Sequence, residues 1–249
     1  MRLDKYLADM NAGTRSTLRR EIRKGLVTVD GKTVKDPACP VGDGQEVRLN
    51  GRKIVWRAYE YYLLNKPQGV ISATEDPRQE TVLHLLPEIR RTDLFPVGRL
   101  DKDTTGLLLI TNDGELAHRL LSPKKHVDKR YRALIDGEVT EEMTAAFRAG
   151  LMLDGEFTAL PAELTAGTVH PDGTAEAEVV ICEGRFHQVK RMFAAVGRNV
   201  LALTRLAMGP LSLPPELPEG AFRELTQEEL AALRTLRGTE EQEEPADPA

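Results

Sequence analysis

Gly98-Arg99-Leu100-Asp101-Lys102-Asp103-Thr104-Thr105-Gly106-Leu107-Leu108-Leu109-Ile110-Thr111-Asn112-Asp113-Gly114 is the stretch on which the reading of the fold turns. The apolar run from Leu107 to Ile110 reads as a buried strand, and Asn112-Asp113-Gly114 closes it. Asp113 is placed to cap a helix that carries Leu116, Leu120 and Leu121 and stops at Ser122-Pro123. Ahead of the strand, Gly98 and Gly106 bracket a loop that presents Arg99 and two carboxylates, Asp101 and Asp103. Reactive side chains concentrate on loops held by a rigid scaffold. Ordinary turn residues that bond the local backbone would look the same on spacing alone.

Working outward, Tyr61-Tyr62-Leu63-Leu64 reads as a second buried strand running into Asn65-Lys66-Pro67. Tyr131, Ala133 and Ile135 alternate as in a half-buried strand, as do Ala177, Val179 and Ile181. Thr140 to Gly150 reads as a short helix. From Arg185 to Gly197 the residues Phe186, Val189, Phe193 and Val196 follow helical spacing, with Gly197 as the stop. After Leu213 the prolines of Pro214-Pro215-Glu216-Leu217-Pro218 make a rigid connector, and Thr226-Gln227-Glu228-Glu229 is a capping box for a last helix. Strands and helices mix without a regular βαβ repeat, so the fold class expected is α+β.

The first 57 residues form a separate pattern. Leu3, Leu7 and Met10 mark one short helix, and a second starts at Thr14, buries Leu18 and Ile22, and stops at Gly25. On the second, Arg15, Arg19 and Arg23 recur every four residues beside Arg20 and Lys24, which makes one side densely cationic. Val27-Thr28-Val29, Asp30-Gly31 and Lys32-Thr33-Val34 read as a hairpin with a two-residue turn, and Val47-Arg48-Leu49 as a third strand. Residues 51–60 read as a linker. The domains expected are therefore 1–57 with its linker, 58–237, and an acidic tail of 238–249 that is too poor in apolar residues to fold.

Composition bounds the function. The chain has 249 residues with a net charge of −5, but residues 1–57 hold 13 Lys/Arg against 7 Asp/Glu, and residues 213–249 hold 3 against 10. The basic head can neutralise phosphates; the rest need not. The apolar runs are no longer than five residues, far below the ~20 that span a bilayer, so a cytoplasmic protein with no membrane partner is expected. Cys39 and Cys182 stand apart from each other and from any Cys/His cluster, so no disulfide framework and no metal site are expected.

Asp101-x-Asp103-x-Thr105 matches the D-x-D-x-T signature of haloacid dehalogenase-like phosphatases, which would need Mg²⁺. That signature requires an apolar strand directly before it, and Phe95-Pro96-Val97-Gly98-Arg99-Leu100 supplies a proline, a glycine and a charge instead. A second resemblance covers far more of the chain. Gly98-Arg99-Leu100-Asp101 followed by Thr104-Thr105-Gly106-Leu107-Leu108-Leu109 resembles the catalytic signature of RNA pseudouridine synthases. Leu64-Asn65-Lys66-Pro67-Gln68-Gly69 upstream, Lys129-Arg130-Tyr131, and Glu183-Gly184-Arg185-Phe186-His187-Gln188-Val189-Lys190-Arg191-Met192-Phe193 agree with that family in order. Arg2-Leu3-Asp4-Lys5-Tyr6-Leu7 and Val27-Thr28-Val29-Asp30-Gly31 resemble the S4 RNA-binding module.

The resemblance implies a catalytic domain with a mixed, mainly antiparallel sheet and a cleft. It implies isomerisation of uridine to pseudouridine in ribosomal RNA, 16S rRNA by the branch of the family that is most similar, within a small-subunit assembly intermediate and by a monomer. Nothing is oxidised or transferred in that reaction, so no cofactor is expected. The resemblance gives the catalytic carboxylate to Asp101, base stacking to Tyr131, a cation beside Asp101 to Lys190 where many members carry Arg, and a place in the RNA stack to Arg99. Further RNA contacts are expected from Lys5, Arg15, Arg19, Arg20, Arg23, Lys24, Lys66, Arg185 and Arg191. His84, His118, His126, His170 and His187 are scattered and are given no catalytic role. A noncatalytic ribosome-assembly protein that retains the fold is the competing reading, and it would be expected to have lost Asp101.

Overall fold

The computed structural model describes residues 1–235 apart from 43, 87–90 and 156. The acidic tail expected at 238–249 lies outside the described residues. The chain divides into two compact units, Met1–Glu60 with Leu86–Leu94, and Tyr61–Leu85 with Phe95–Ala249. Among the described residues, no helix is long and apolar enough to cross a membrane.

The first unit holds helices α1 (Leu3–Asp9) and α2 (Arg15–Arg23) and strands β1 (Val27–Val29), β2 (Lys32–Val34), β3 (Val47–Leu49) and β4 (Arg52–Ile54). The strands make one antiparallel sheet in the order β2-β1-β3-β4. Thr14 caps α2, its Oγ1 accepting from the Thr17 N–H at 3.2 Å. Leu3, Leu7, Leu18 and Ile22 are fully buried and pack with Val27 and Val47. Asp30 (φ 49°) and Gly31 (φ 75°) form the turn that their types demand.

The segment beginning at Gly51 is not a linker. Asn50 (φ 50°) and Gly51 (φ 78°) make a second turn of the same kind, and the chain returns as β4 paired to β3. Arg52 and Lys53 are exposed and give no apolar alternation, so only the Asn-Gly pair signals this hairpin. Trp56 then packs its ring 5.2 Å from that of Tyr6.

The second unit contains β5 (Tyr61–Lys66), β6 (Phe95–Pro96), β7 (Thr104–Thr111), α3 (Gly114–Leu121), β8 (Lys129–Ile135), α4 (Glu141–Ala149), β9 (Met152–Leu153), β10 (Phe157–Thr158), β11 (Glu163–Val169), β12 (Ala175–Ile181), α5 (Gln188–Ala195), β13 (Val200–Met208), β14 (Leu211–Ser212), β15 (Phe222–Glu224) and α6 (Gln227–Arg234). Its main sheet runs β11-β12-β8-β13-β7-β5-β15, with β14 on β13 and β6 on β7. β13 lies parallel to β7, and the other pairs in this sheet are antiparallel. The sheet is therefore mixed and mainly antiparallel.

β13 joins the two halves of the sheet, and it is among the strands that sequence pattern conceals, because Thr204 and Arg205 interrupt its apolar residues. Arg205 is 2% exposed and its Nε donates to the Leu107 carbonyl at 2.8 Å. The close approach of β7 and β13 also explains a glycine: Gly106 has φ 102°, and a Cβ there would lie 2.3 Å from the Arg205 carbonyl oxygen.

Asp113 organises the far end of β5 and β7. One carboxylate oxygen accepts from the Leu116 N–H at 3.0 Å and caps α3, and the other accepts from the Tyr61 hydroxyl at 2.8 Å. Burial, with that carboxylate beside it, pushes the Tyr61 phenol up to about 12. Leu63, Leu107, Leu109, Leu116, Leu120 and Leu233 of α6 pack together there. In the β8/β12 half, Phe147 of α4 and Phe193 of α5 are fully buried with ring centroids 5.2 Å apart.

Helix α5 starts at Gln188, three residues later than the spacing predicts. His187 caps it in the left-handed region (φ 50°), and Phe186 is 75% exposed.

Candidate active site

A pocket of about 70 Å³ is lined by the loop before β7, by Tyr131 of β8, and by the segment leading into α5. The loop is fixed from beneath. Ser72 Oγ donates to the Leu100 carbonyl at 2.9 Å and accepts from the Leu100 N–H at 3.0 Å. The Thr104 N–H donates to the Asp101 carbonyl at 3.1 Å, and the Gly69 N–H to the Lys102 carbonyl at 2.8 Å.

Lys66 completes this support, and its expected role as an RNA contact is overturned. The side chain is 0% exposed, and Nζ donates to the carbonyls of Thr104 (2.9 Å), Pro67 (3.0 Å), Asp101 (3.1 Å) and Lys102 (3.4 Å). A buried ammonium needs such acceptors, and carbonyls turned inward need such a donor. Burial pushes Lys66 down to about 8, opposed by the charges of Asp103 and Asp101. It shapes the loop that carries Asp101 and does not face solvent.

Asp101 is partly exposed, as a carboxylate that must meet a substrate has to be. Lys190 of α5 reaches it at 3.5 Å and reaches Asp103 more closely, at 2.6 Å. One cation therefore serves two carboxylates, and the Lys190 hydrogen bond holds the Asp103 carboxyl below the usual range. His187 Nε2 lies 3.4 Å from the other Asp101 oxygen. Sequence reading gave His187 no role; its place follows from the left-handed cap that turns it back onto the loop. Tyr131 is 7% exposed and lines the pocket, with Ile181, Val189 and Leu203 as apolar neighbours. Arg99 is exposed at the mouth.

The remaining expected contacts separate into two sets. Arg185 lines the pocket, with its guanidinium 4.2 Å over the Phe157 ring and 3.7 Å from Glu183. Arg191 donates from Nε to Asp154 at 2.5 Å, and its guanidinium lies 5.0 Å from the Phe157 ring centroid, so it braces α5 against the β9–β10 hairpin. Neighbours on a helix point about 100° apart, which is why Lys190 faces the loop and Arg191 does not.

In the first unit, Asp4 is fully buried, within 2.8 Å of Arg19, 3.1 Å of Arg2 and 3.7 Å of Arg15. Arg2 first, then Arg19, hold its carboxyl down at about 2. Lys5 pairs with Asp9 one turn along α1. Arg20, Arg23 and Lys24 are exposed and have no ion-pair partner among the described residues.

Residues 60–195 match the family model described as RNA pseudouridylate synthase, and residues 1–47 match the S4 domain. The chain is 47% identical to the RNA pseudouridine synthase YtzG of Bacillus subtilis over 94% of this chain and 98% of that one. It is 40% identical to ribosomal small subunit pseudouridine synthase A of Escherichia coli over 94% of this chain and 100% of that one. A crystal structure of a pseudouridylate synthase superposes with a TM-score of 0.64 at 36% identity, covering 94% of this chain and 99% of that chain. With Asp101 in its loop and a match that runs from the head through the sheet, the chain belongs to the RNA pseudouridine synthase family and carries an S4 domain at its N-terminal end.

Proposed function

We propose that this protein isomerises one uridine of small-subunit (16S) ribosomal RNA to pseudouridine, acting as a monomer in the cytoplasm on a partly assembled subunit. The observation that carries the chemistry is the Asp101 carboxylate held at a pocket by a loop and faced by Lys190 and His187. The target class rests on the small-subunit enzymes to which 94% of the chain is similar.

The bond between uracil N1 and C1′ breaks, the base rotates, and a bond from C5 to C1′ forms. The proton on C5 leaves and N1 gains one, so the product is an isomer. Asp101 supplies the ionised carboxylate beside ribose and uracil, and attack on the sugar, attack on the base and removal of the C2′ proton all start from that form. Lys190 places a positive charge 3.5 Å from that carboxylate. Tyr131 is the surface on which the base stacks, and Arg99 enters the stack that the flipped nucleotide leaves, a step costing a few kcal/mol. Arg20 and Arg23 of α2, with Lys24 at its C-terminal cap, add phosphate contacts.

Mapping pseudouridines in ribosomal RNA from cells with and without the gene tests the reading. Loss of one small-subunit site is expected. Loss of a large-subunit site would move the target, and an unchanged map in both would overturn the function.

A further inference from the structure

Phe186 is, among the described residues, the most exposed of the large apolar side chains, at 75%, in a position where helical spacing predicts burial. Its ring stacks on the His187 ring with centroids 3.8 Å apart and planes 18° from parallel. His187 in turn stands 3.4 Å from Asp101, and its backbone is held at φ 50°. Both sequence neighbours of Phe186, Arg185 and His187, line the catalytic pocket. The exposed ring between them stands beside the pocket, within reach of a nucleotide next to a base that enters it.

We propose that Phe186 is a stacking platform for an unpaired RNA base that flanks the target uridine, with His187 as the layer beneath it. This rests on the reading of the pocket as the uridine site. Stacking on an exposed aromatic is a common way to hold unpaired RNA bases, because every base has a π-face. The surroundings favour RNA over a protein partner: the pocket beside the ring is lined by the exposed cations Arg99 and Arg185, and charge of that sign suits a phosphate backbone. The αL cap matters because it stops α5 short of Phe186 and leaves both faces of the His187–Phe186 stack outside the helix.

The test uses the full chain and a set of short RNAs, one intact and the others with an abasic nucleotide at each of two positions on either side of the target uridine. Dissociation constants are measured for the wild type, Phe186→Ala and Phe186→Trp, and thermal melting checks that the exposed ring can be replaced without unfolding. For the intact RNA, Phe186→Ala is expected to weaken binding about tenfold or more, and Phe186→Trp to restore it. One abasic position should cost the wild type a similar factor and cost Phe186→Ala almost nothing. Equal binding by Phe186→Ala and wild type, or losses that multiply at every position, would overturn the platform. Pseudouridine formed by the wild type in the same mixtures reports on the proposed activity separately, so a failed platform leaves that activity standing and a failed activity does not alter the binding comparison.

Discussion

The head and the pocket both depend on cations, and they use them in opposite ways. On α2 and its C-terminal cap, Arg20, Arg23 and Lys24 stand in solvent without ion-pair partners among the described residues, so their effect on RNA depends on their number. At the pocket, Lys190 is divided between Asp101 and Asp103, Lys66 is closed over by four carbonyls, and Arg191 is spent on Asp154. A charge counted in sequence is available to a ligand only where folding leaves it unpaired. Even the head shows this, since Arg2, Arg15 and Arg19 gather around the buried Asp4.

The contrast breaks most visibly at Asp101. Asp101→Asn is nearly isosteric and is expected to lower turnover at least ~10³-fold, while RNA affinity and melting temperature stay close to wild type. Substantial residual turnover in the purified variant would remove Asp101 from the reaction.

Lys66→Met comes next. Leaving buried carbonyls without a donor should cost about 1–3 kcal/mol of stability, with slower turnover as the loop relaxes. The pH dependence has a definite sign. Lys66 holds its proton less tightly when folded, at about 8 against 10.5, so its contribution to stability is lowest and constant below pH 8 and rises as pH climbs to 10.5. Wild type should gain on the Met variant across that window, and parallel denaturation curves across it would show that Lys66 is not buried as described.

A smaller effect is expected from replacing Arg20, Arg23 and Lys24 together by Ala. Affinity for RNA should fall, and the slope of log K against log salt should flatten by about 2–3, at ~0.7–0.9 for each phosphate no longer neutralised, with turnover at saturating RNA unchanged. An unchanged slope would make this face a solubilising surface only.

The smallest effect belongs to Asp4. Its carboxyl is held at about 2 when folded, below the unfolded 3.8, so the stability it gives is present above 3.8 and is lost as pH falls through about 2. Because its arginines are half exposed, Asp4→Asn should cost on the order of 1 kcal/mol at neutral pH and little at pH 2. Trp56, the single tryptophan, reports unfolding of this unit by fluorescence. A gap that stays constant with pH would contradict the ion cluster.

Local chemistry made much of this legible in the sequence. Asp30-Gly31, the Thr14 and Asp113 caps and the bracketed Asp101 loop each declare themselves within a few residues. What stayed hidden depends on partners far along the chain. Lys66 reads as an RNA contact until folding brings the 101–104 carbonyls around it, and Ser72 has no local signal at all. Phe186 keeps helical spacing with Val189 and Phe193, and only the left-handed His187 separates it from the helix.

The central claim is that the cation delivered by α5, shared between Asp103 and Asp101, holds the Asp103 carboxyl low and places a positive charge beside Asp101 so that Asp101 can act. A single-turnover pH–rate profile for the wild type, Lys190→Met and Lys190→Arg tests it most directly. Without Lys190 the Asp103 carboxyl loses the hydrogen bond that holds it low, so the acid limb for the Met variant should shift upward, with the greatest loss of activity at low pH. The Arg variant keeps the charge and should retain much of the wild-type profile. A Met variant that matches the wild type at every pH would contradict the account.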